Sequence, residues 1–215
     1  RAGIFTIRNR WERMLQTSVE VLTIADLQDL YPFSLADDEP AIYINPTVFP
    51  TKEIIDRINT LQLDDKLIHE QGKWIASYAA EKDFTTILLG KRDPIIVANK
   101  VEFIKNSFDL LQWNERLIKN DFGMITSNAS SEKLDASNRV VHAENIFVEP
   151  GAVITCANLN ATEGPIYIGK NALIMEGASL RGPIVIGEKS VVKMNASIYG
   201  STSVGEHCTV GGEIK

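Results

Sequence analysis

The three histidines are the side chains best suited to proton transfer near neutral pH. His69 falls on a predicted hairpin with no acid or nucleophile near it, which favours a surface histidine over a catalytic one. His142 precedes the regular repeats of the second half of the chain, so we assign it a structural role. His207 lies inside those repeats, at a non-core position beside Glu206. We expect it to be exposed, and an ordinary surface histidine remains the favoured interpretation.

Clusters of charge suggest two further kinds of site. The run Asp37, Asp38 and Glu39 could hold a metal ion, but adjacent acids before a strand are more often simply solvated. The arginines at 8, 10 and 13 could contact a phosphate, and a solvated helix face is again the favoured interpretation. We therefore predict no metal site from the residues themselves.

The two cysteines, Cys156 and Cys208, are interpreted as small core residues of the repeats. Their separation by two or three coils does not suit the ~5.5 Å between Cα atoms that a disulfide needs. A reduced, cytoplasmic protein is the expectation.

The repeats occupy residues 162–215 and have a period of six within a period of 18. Steps of six meet an aliphatic residue at eight of nine positions: Thr162, Ile168, Ile174, Leu180, Ile186, Val192, Ile198, Val204 and Val210. Small or β-branched residues follow four places later. Neither helices nor alternating strands give a period of six, whereas a parallel β-helix does. We expect aliphatic residues inside, small ones beside corners, and glycine at the corners because it accepts φ > 0.

Bulk properties limit the remaining possibilities. The chain has 215 residues, enough for one or two domains, and a net charge of −6 that argues against a nucleic-acid partner. No apolar run approaches the ~18 residues of a membrane-spanning helix.

The first half of the chain predicts an α/β arrangement. The pattern indicates a turn followed by a helix within residues 3–15, a strand over 19–24, a strand over 41–45 and a helix capped by Thr51. A hairpin over 66–78 and a helix over 107–125 follow. The polar stretch 127–138 is the best candidate linker. The predicted domains are 1–126, with a C-terminal helical arm, a linker over 127–139, and a β-helix over 140–215.

Three stretches of sequence carry a resemblance to known proteins. They are 1–12 (Arg-Ala-Gly-Ile-Phe-Thr-Ile-Arg-Asn-Arg-Trp-Glu), 109–122 (Asp-Leu-Leu-Gln-Trp-Asn-Glu-Arg-Leu-Ile-Lys-Asn-Asp-Phe) and the hexads of 163–214. Together they resemble a divergent sugar-1-phosphate nucleotidyltransferase family, some members of which are labelled glucose-1-phosphate thymidylyltransferase. That family is related to the bifunctional N-acetylglucosamine-1-phosphate uridylyltransferase/glucosamine-1-phosphate acetyltransferase. The resemblance implies an incomplete nucleotidyltransferase-like α/β domain followed by a left-handed β-helix.

The resemblance also implies site residues and cofactors. Enzymes of this class hold Mg²⁺ with an aspartate at the end of a strand, where this chain has Asn45, a neutral and weaker ligand. Asn45 is expected to contact substrate or to serve the loop. Their Gly-rich phosphate loop is not found here and is expected to precede Arg1. The related acyltransferases use a histidine base with acetyl-CoA, which would be His207, and bind sugar phosphate through a stretch similar to Glu213 and Lys215.

Three functions remain open at this point. The first is transfer of a nucleotidyl group from an NTP to a sugar 1-phosphate with Mg²⁺. The second is acetyl-CoA-dependent acyl transfer to an amino sugar phosphate or nucleotide sugar by the β-helix. The third is a non-catalytic nucleotide-sugar-binding or scaffold protein. By resemblance we also predict a homotrimer through the β-helix, with no nucleic-acid or membrane partner.

Overall fold

The structure is a computed structural model that describes residues 1–31, 33–34, 39–80, 84–98 and 100–214, with the backbone alone at 84, 213 and 214. Its contacts divide the chain into two compact units. We call Ile7–Lys105 the α/β unit, and Arg1–Thr6 together with Asn106–Lys215 the β-helix unit. The domain limits proposed from the sequence stay a prediction. No described helix has the length and apolarity that crossing a membrane requires.

The α/β unit is built on a mixed sheet of four strands in the order β1-β3-β2-β4. Strand β3 is antiparallel to β1 and β2, and β4 runs parallel to β2. The predicted strand over 19–24 is wrong, because that stretch forms no strand. In chain order the elements are α1 (Ile7–Leu15), α2 (Ala25–Gln28), β1 (Ala41–Ile44), α3 (Lys52–Ile58), β2 (Lys66–His69), β3 (Trp74–Ala79), α4 (Phe84–Leu89) and β4 (Ile95–Val97).

Helix α3 shows why this unit folds as the pattern predicts. Thr51 caps it, with its hydroxyl accepting from the backbone N–H of Ile54 at 3.4 Å. The apolar face of the helix is buried and joins a core that includes Trp11, Leu67 and Ile75. The predicted cap, helix and following hairpin are therefore confirmed.

The β-helix unit begins with α5 (Ser107–Thr126) and continues into short parallel strands. The strands are β5 (Arg139–Val141), β6 (Ile146–Val148), β7 (Val153–Ile154), β8 (Asn158–Asn160), β9 (Ile166–Ile168), β10 (Leu173–Ile174), β11 (Ser179–Arg181), β12 (Ile184–Ile186), β13 (Val191–Val192), β14 (Ser197–Ile198), β15 (Thr202–Val204), β16 (Thr209–Val210) and β17 (Glu213–Ile214). They form three parallel sheets. We call these the first face (β6-β9-β12-β15), the second face (β7-β10-β13-β16) and the third face (β5-β8-β11-β14-β17). About four coils result, and the predicted β-helix is confirmed.

The predicted inward positions form the core of this unit. The aliphatic residues at steps of six are buried from Ile168 to Val204, and small residues such as Ala172 and Ala178 are buried beside them. The four coils are β6 to β8, β9 to β11, β12 to β14 and β15 to β17. Neighbouring coils match at a step of 18 residues where the repeat is regular, as in Leu173 opposite Val191.

The role predicted for the corner glycines is confirmed at Gly151, Gly177 and Gly212, which lie in corners with φ from +74 to +80. It is wrong for the glycines that follow β9, β12 and β15: there the positive φ angles belong to Asn171, Lys189 and His207, two places after the glycines. Gly187 is required for a different reason, because a Cβ there would lie 2.4 Å from the carbonyl oxygen of Gly205 in the next coil. Glycine allows adjacent coils to approach closely at this corner.

The two cysteines differ from each other. Cys208 is half-buried and packs against the core, as predicted. Cys156 is exposed in a corner with φ +51, so its predicted place in the core is wrong. The cause is a change in corner lengths in the first coil. The corner between its second and third faces (155–157) is one residue shorter than the equivalent corner of the next coil. The corner after its third face (161–165) is three residues longer, and these changes shift the register.

The stretch 127–138 is bound to the first coil. The Ser131 hydroxyl accepts from Val148 N at 2.9 Å and the Ser137 hydroxyl accepts from Cys156 N at 3.0 Å. Leu134 packs against the β-helix core. This stretch therefore covers the start of the β-helix with ordered hydrogen bonds.

Candidate functional site

Asn45 occupies the turn that follows β1, where the resemblance implies a metal or substrate contact. Its Nδ2 donates to the carbonyl of Trp74 at 2.8 Å, and its Oδ1 accepts from both the backbone N–H and the hydroxyl of Thr47 at 3.0 and 2.8 Å. Both ends of the amide are thus engaged in holding the turn against the neighbouring strand. A substrate contact by Asn45 stays a prediction, and it would require at least one of these bonds to be exchanged.

The Mg²⁺ that the resemblance implies does not fit the described residues around Asn45. Its amide oxygen already accepts two hydrogen bonds, and a neutral amide is a weak Mg²⁺ ligand. Among the residues that the structure describes, no three His, Cys, Asp or Glu side chains are grouped as metal ligands. Asp37 and Asp38 of the acidic run lie outside the described residues. We derive no reaction step through Mg²⁺ at this turn.

His207 sits at the corner between β15 and β16, in the β-helix unit. Its side chain is exposed, as predicted, and its φ is +54. Its backbone N–H donates to the carbonyl of Glu188 in the preceding coil at 2.8 Å, which fixes the corner. The neighbouring carboxylate, Glu206, forms an ion pair with Arg1. An exposed imidazole on a fixed backbone can take up a proton from a bound amine or hydroxyl, and this role for His207 stays a prediction.

The other two predicted binding residues lie at the end of the described chain. Glu213 is in strand β17, which pairs with β14, and its side chain is outside the described part of the structure. Lys215 lies outside the described residues altogether. Asn45 belongs to the α/β unit, whereas His207 and Glu213 belong to the β-helix unit.

The structure reveals a buried polar cluster that the sequence reasoning missed. Asn114 and Asp121 on α5 are 8% and 0% exposed. Asn114 Oδ1 accepts from Gly3 N at 2.7 Å, and Asp121 Oδ2 accepts from Ile4 N at 2.9 Å. The Ser203 hydroxyl on β15 lies 3.0 Å from both the Gly3 carbonyl oxygen and Asn114 Oδ1, and its one hydrogen can serve either acceptor. These side chains bind the backbone of residues 3 and 4, and we call them the clasp.

The clasp fixes the first residues of the chain on the first face of the β-helix. Gly3 has φ +70, and a Cβ there would lie 2.3 Å from Asp121 Oδ2. Ile4 and Phe5 then pack with Ile118 on the outward ladder of Phe147, Tyr167 and Val185. The signal was present in the sequence, because residues 114 and 121 fall on the same helix stripe as Leu117 and Ile118.

Two further side chains are more buried than the sequence suggested. His69, predicted to be at the surface, is 8% exposed, with its ring edge-on to Phe103 at 5.9 Å between centroids. Its Nδ1 accepts from Gln71 N at 3.3 Å, so the ring helps to hold the hairpin turn. Arg10 is buried with its guanidinium 5.1 Å from the centre of the Phe49 ring, whereas Arg8 and Arg13 are exposed. The solvated role assigned to Arg10 is wrong.

An exposed ion pair joins neighbouring coils at the corner that follows the third face of the β-helix. Arg181 donates to Glu163 at 2.5 Å, and this hydrogen bond and the charge of Arg181 lower the pKa of the Glu163 carboxyl below its ordinary value. Desolvation and the charge of Glu115 raise this pKa, and the charge of Lys119 lowers it. The pair favours the folded state above the ordinary pKa of glutamate. That contribution is lost as the pH falls through the lowered value.

We predict that Arg181→Ala raises the pKa of Glu163 towards its ordinary value, because the variant removes both the hydrogen bond and the charge. A ¹³C NMR titration of the glutamate side-chain carboxyls measures this directly. Lys189→Ala is the control, since Lys189 pairs with Glu188 at another corner and should leave Glu163 unchanged. A Glu163 titration that is identical in the wild type and in Arg181→Ala would contradict the assignment.

Comparison with known proteins places these features in a family. Residues 1–130 match the family described as sugar nucleotidyl transferase. The match includes the α/β unit, the clasp residues of α5 and the first residues that they bind. A search of the curated proteins gave no match. The matched residues make up more than half of the 215-residue sequence. The chain therefore belongs to the sugar nucleotidyl transferase family.

Proposed function

We propose that this protein transfers a nucleotidyl group from an NTP to a sugar 1-phosphate, as part of nucleotide-sugar biosynthesis. A phosphate oxygen of the sugar 1-phosphate attacks the α-phosphorus of the NTP, the bond to the β-phosphate breaks, and pyrophosphate leaves. The observation that carries this proposal is the family match over residues 1–130. It is supported by the mixed sheet of the α/β unit and by the β-helix that follows it.

The described residues contribute a rigid turn to this proposal. Asn45 follows a strand of the sheet and is held by Trp74 and Thr47. A substrate hydroxyl that replaced Thr47 at Asn45 Oδ1 would be placed by the sheet rather than by a loose loop. Mg²⁺ as the cofactor of this reaction remains a proposal that rests on the resemblance.

Pyrophosphate release tests the proposal. The protein is assayed with UTP or dTTP, each with glucose, glucosamine or N-acetylglucosamine 1-phosphate, and turnover with at least one pair is expected. Asn45→Ala should then raise the KM for the sugar phosphate. Thr47→Val is the structural control, because it removes a hydrogen bond to Asn45 and leaves the amide in place. No turnover with any pair would refute the proposed reaction, and an equal KM change in both variants would make Asn45 a loop residue only.

Acyl transfer is the second candidate, and the exposed His207 in a β-helix favours it. In this reaction the imidazole takes a proton from the acceptor amine or hydroxyl, which attacks the thioester carbonyl of acetyl-CoA. The acetyl group is transferred and the CoA thiol leaves. The acceptor would be an amino sugar phosphate or a nucleotide sugar.

We predict that His207→Ala lowers any acyltransferase kcat by about 10²- to 10⁴-fold, the usual contribution of a general base. Release of the CoA thiol from acetyl-CoA is the measurement. His142→Ala is the matched control, since His142 is also exposed and is paired with Glu144 at 2.9 Å. Unchanged turnover in His207→Ala would remove this histidine as the base.

Two outcomes of these assays define the remaining alternatives. Binding of a nucleotide sugar by calorimetry, without turnover in either assay, would favour the non-catalytic binding or scaffold protein. The resemblance also supports a homotrimer through the β-helix, which sedimentation equilibrium tests through the mass of the assembly.

A further inference from the structure

The three faces of the β-helix differ in the polarity of their outward-facing side chains and in whether these are covered. The outward ladder of the first face is mainly apolar, and it is covered by α5 and by Ile4 and Phe5. The outward ladder of the third face is polar, with Asn158 Nδ2 donating to the Ser179 hydroxyl at 3.2 Å and Ser197 next in register. Within this molecule, an apolar ladder is covered and a polar ladder faces solvent.

The second face does not follow this rule. Its outward ladder is Val153, Leu173, Val191 and Thr209, aligned in register across four coils. Val153 is 51% exposed, and Leu173 and Val191 are only half-buried. An aligned aliphatic stripe on a flat sheet is a typical protein contact surface, since burial of such side chains favours association.

The charged residues on the two sides of this ladder are complementary to those of a second copy of the chain. Lys170 lies in the turn before β10, and Glu176 lies in the turn after it. A two-fold rotation about an axis parallel to the β-helix axis exchanges these two sides of the face. It places Leu173 against Leu173 of a second copy, and Lys170 against Glu176 of that copy. In the third coil, Lys193 faces the internally neutral pair of Glu188 and Lys189, whose charged atoms are 3.1 Å apart. The charge complementarity of this parallel arrangement therefore comes from Lys170 and Glu176 in the second coil.

We propose that the second face binds the second face of another copy of this chain, with the two β-helix axes parallel and equal coils side by side. Such an interface is isologous, so residues near the axis meet their own equivalents. The proposal does not rest on the transfer reaction, because it concerns assembly and is measured without substrate. The homotrimer implied by the resemblance is a competing outcome, since three copies around one axis do not pair this face with itself.

Sedimentation equilibrium on the full chain is the first test, and a concentration-dependent mass of two copies of the 23.8 kDa chain is expected. Leu173→Glu places a carboxylate on each side of the contact and should weaken association by at least about tenfold. Ser179→Glu is the matched control on the polar third face, in the same coil, and should leave the mass unchanged. A monomeric wild type, a trimer, or a Leu173→Glu protein that associates as tightly as the wild type would overturn the proposal.

A charge exchange tests the register of the contact. Lys170→Glu should weaken association, and adding Glu176→Lys in the same chain should restore it, because the two-fold contact again pairs opposite charges. In a background with Cys156→Ser and Cys208→Ala, Leu173→Cys should form a disulfide between copies under mild oxidation. Failure of the double variant to restore association would overturn the pairing of Lys170 with Glu176. Failure of the cysteine variant to cross-link would exclude the two-fold axis beside Leu173.

Discussion

Gly187→Ala is expected to lower the free energy of unfolding by about 3 kcal/mol, at the upper end of the usual cost of overpacking. The added Cβ would lie 2.4 Å from the Gly205 oxygen, 2.5 Å from its carbonyl carbon and 2.7 Å from the nitrogen of Glu206. All three are backbone atoms of the next coil, so no side-chain rotation relieves the contact. The coils would have to separate, which weakens the strand hydrogen bonds of the first and second faces. Urea unfolding followed by circular dichroism measures the change.

Gly205→Ala provides a control at the same position one coil later. A Cβ at Gly205 meets only Cys208 Sγ at 3.6 Å, which is an ordinary contact. We expect its stability to stay within about 0.5 kcal/mol of the wild type or to rise slightly, since alanine restricts the unfolded chain. Equal losses in the two variants would show that the glycine conformation, rather than the approach of the next coil, decides this position.

Asn114→Ala is expected to lower the free energy of unfolding by about 3 kcal/mol, because the side chain makes several buried or partly buried hydrogen bonds at once. Asn114 Oδ1 accepts from Gly3 N and its Nδ2 donates to the Ser201 carbonyl at 2.6 Å. Alanine leaves the buried Gly3 N–H and the partly buried Ser201 carbonyl without this partner. The local consequence is faster hydrogen exchange at the amides of Gly3 and Ile4, which reports release of the first residues from the clasp.

Glu115→Ala is the control for this prediction on the next helix position. Glu115 is exposed and pairs with Lys119 at 2.6 Å, an interaction that contributes little in solvent. We expect a change within about 0.5 kcal/mol and unchanged exchange at residues 3 and 4. If Asn114→Ala behaves like Glu115→Ala, the clasp does not hold the start of the chain.

The β-helix could be predicted because its signal is local and repeated. A residue such as Ile174 or Ile186 is inward for the same reason as its neighbours, so each hexad supports the next. Cys156 was misplaced because the count by six was carried back across the first coil, where the step to the next coil is 20 residues and the corners have other lengths. Periodicity defines the core of a regular coil and gives no information about an irregular corner.

Contacts between distant parts of the chain explain the other differences. The burial of His69 depends on Phe103, and that of Arg10 on Phe49, and neither partner lies close in sequence. The clasp joins residues more than 100 positions apart, as in Ile4 and Asp121. Asn45 was correctly placed at a strand end, but only the structure shows that Trp74 and Thr47 engage its amide.

The regular step between coils has a consequence for how the length of this protein can change. Leu173, Val191 and Thr209 are successive partners at intervals of 18 residues, so removing or adding one such block rejoins equivalent positions. The core would then be shorter or longer by one layer with its register kept. Insertions of any other size have to be absorbed at a corner, as in the first coil, where the five residues 161–165 separate strands that only two or three residues separate in the following coils. Variation in family members is therefore expected as whole layers or as corner loops, and not as additions within strands.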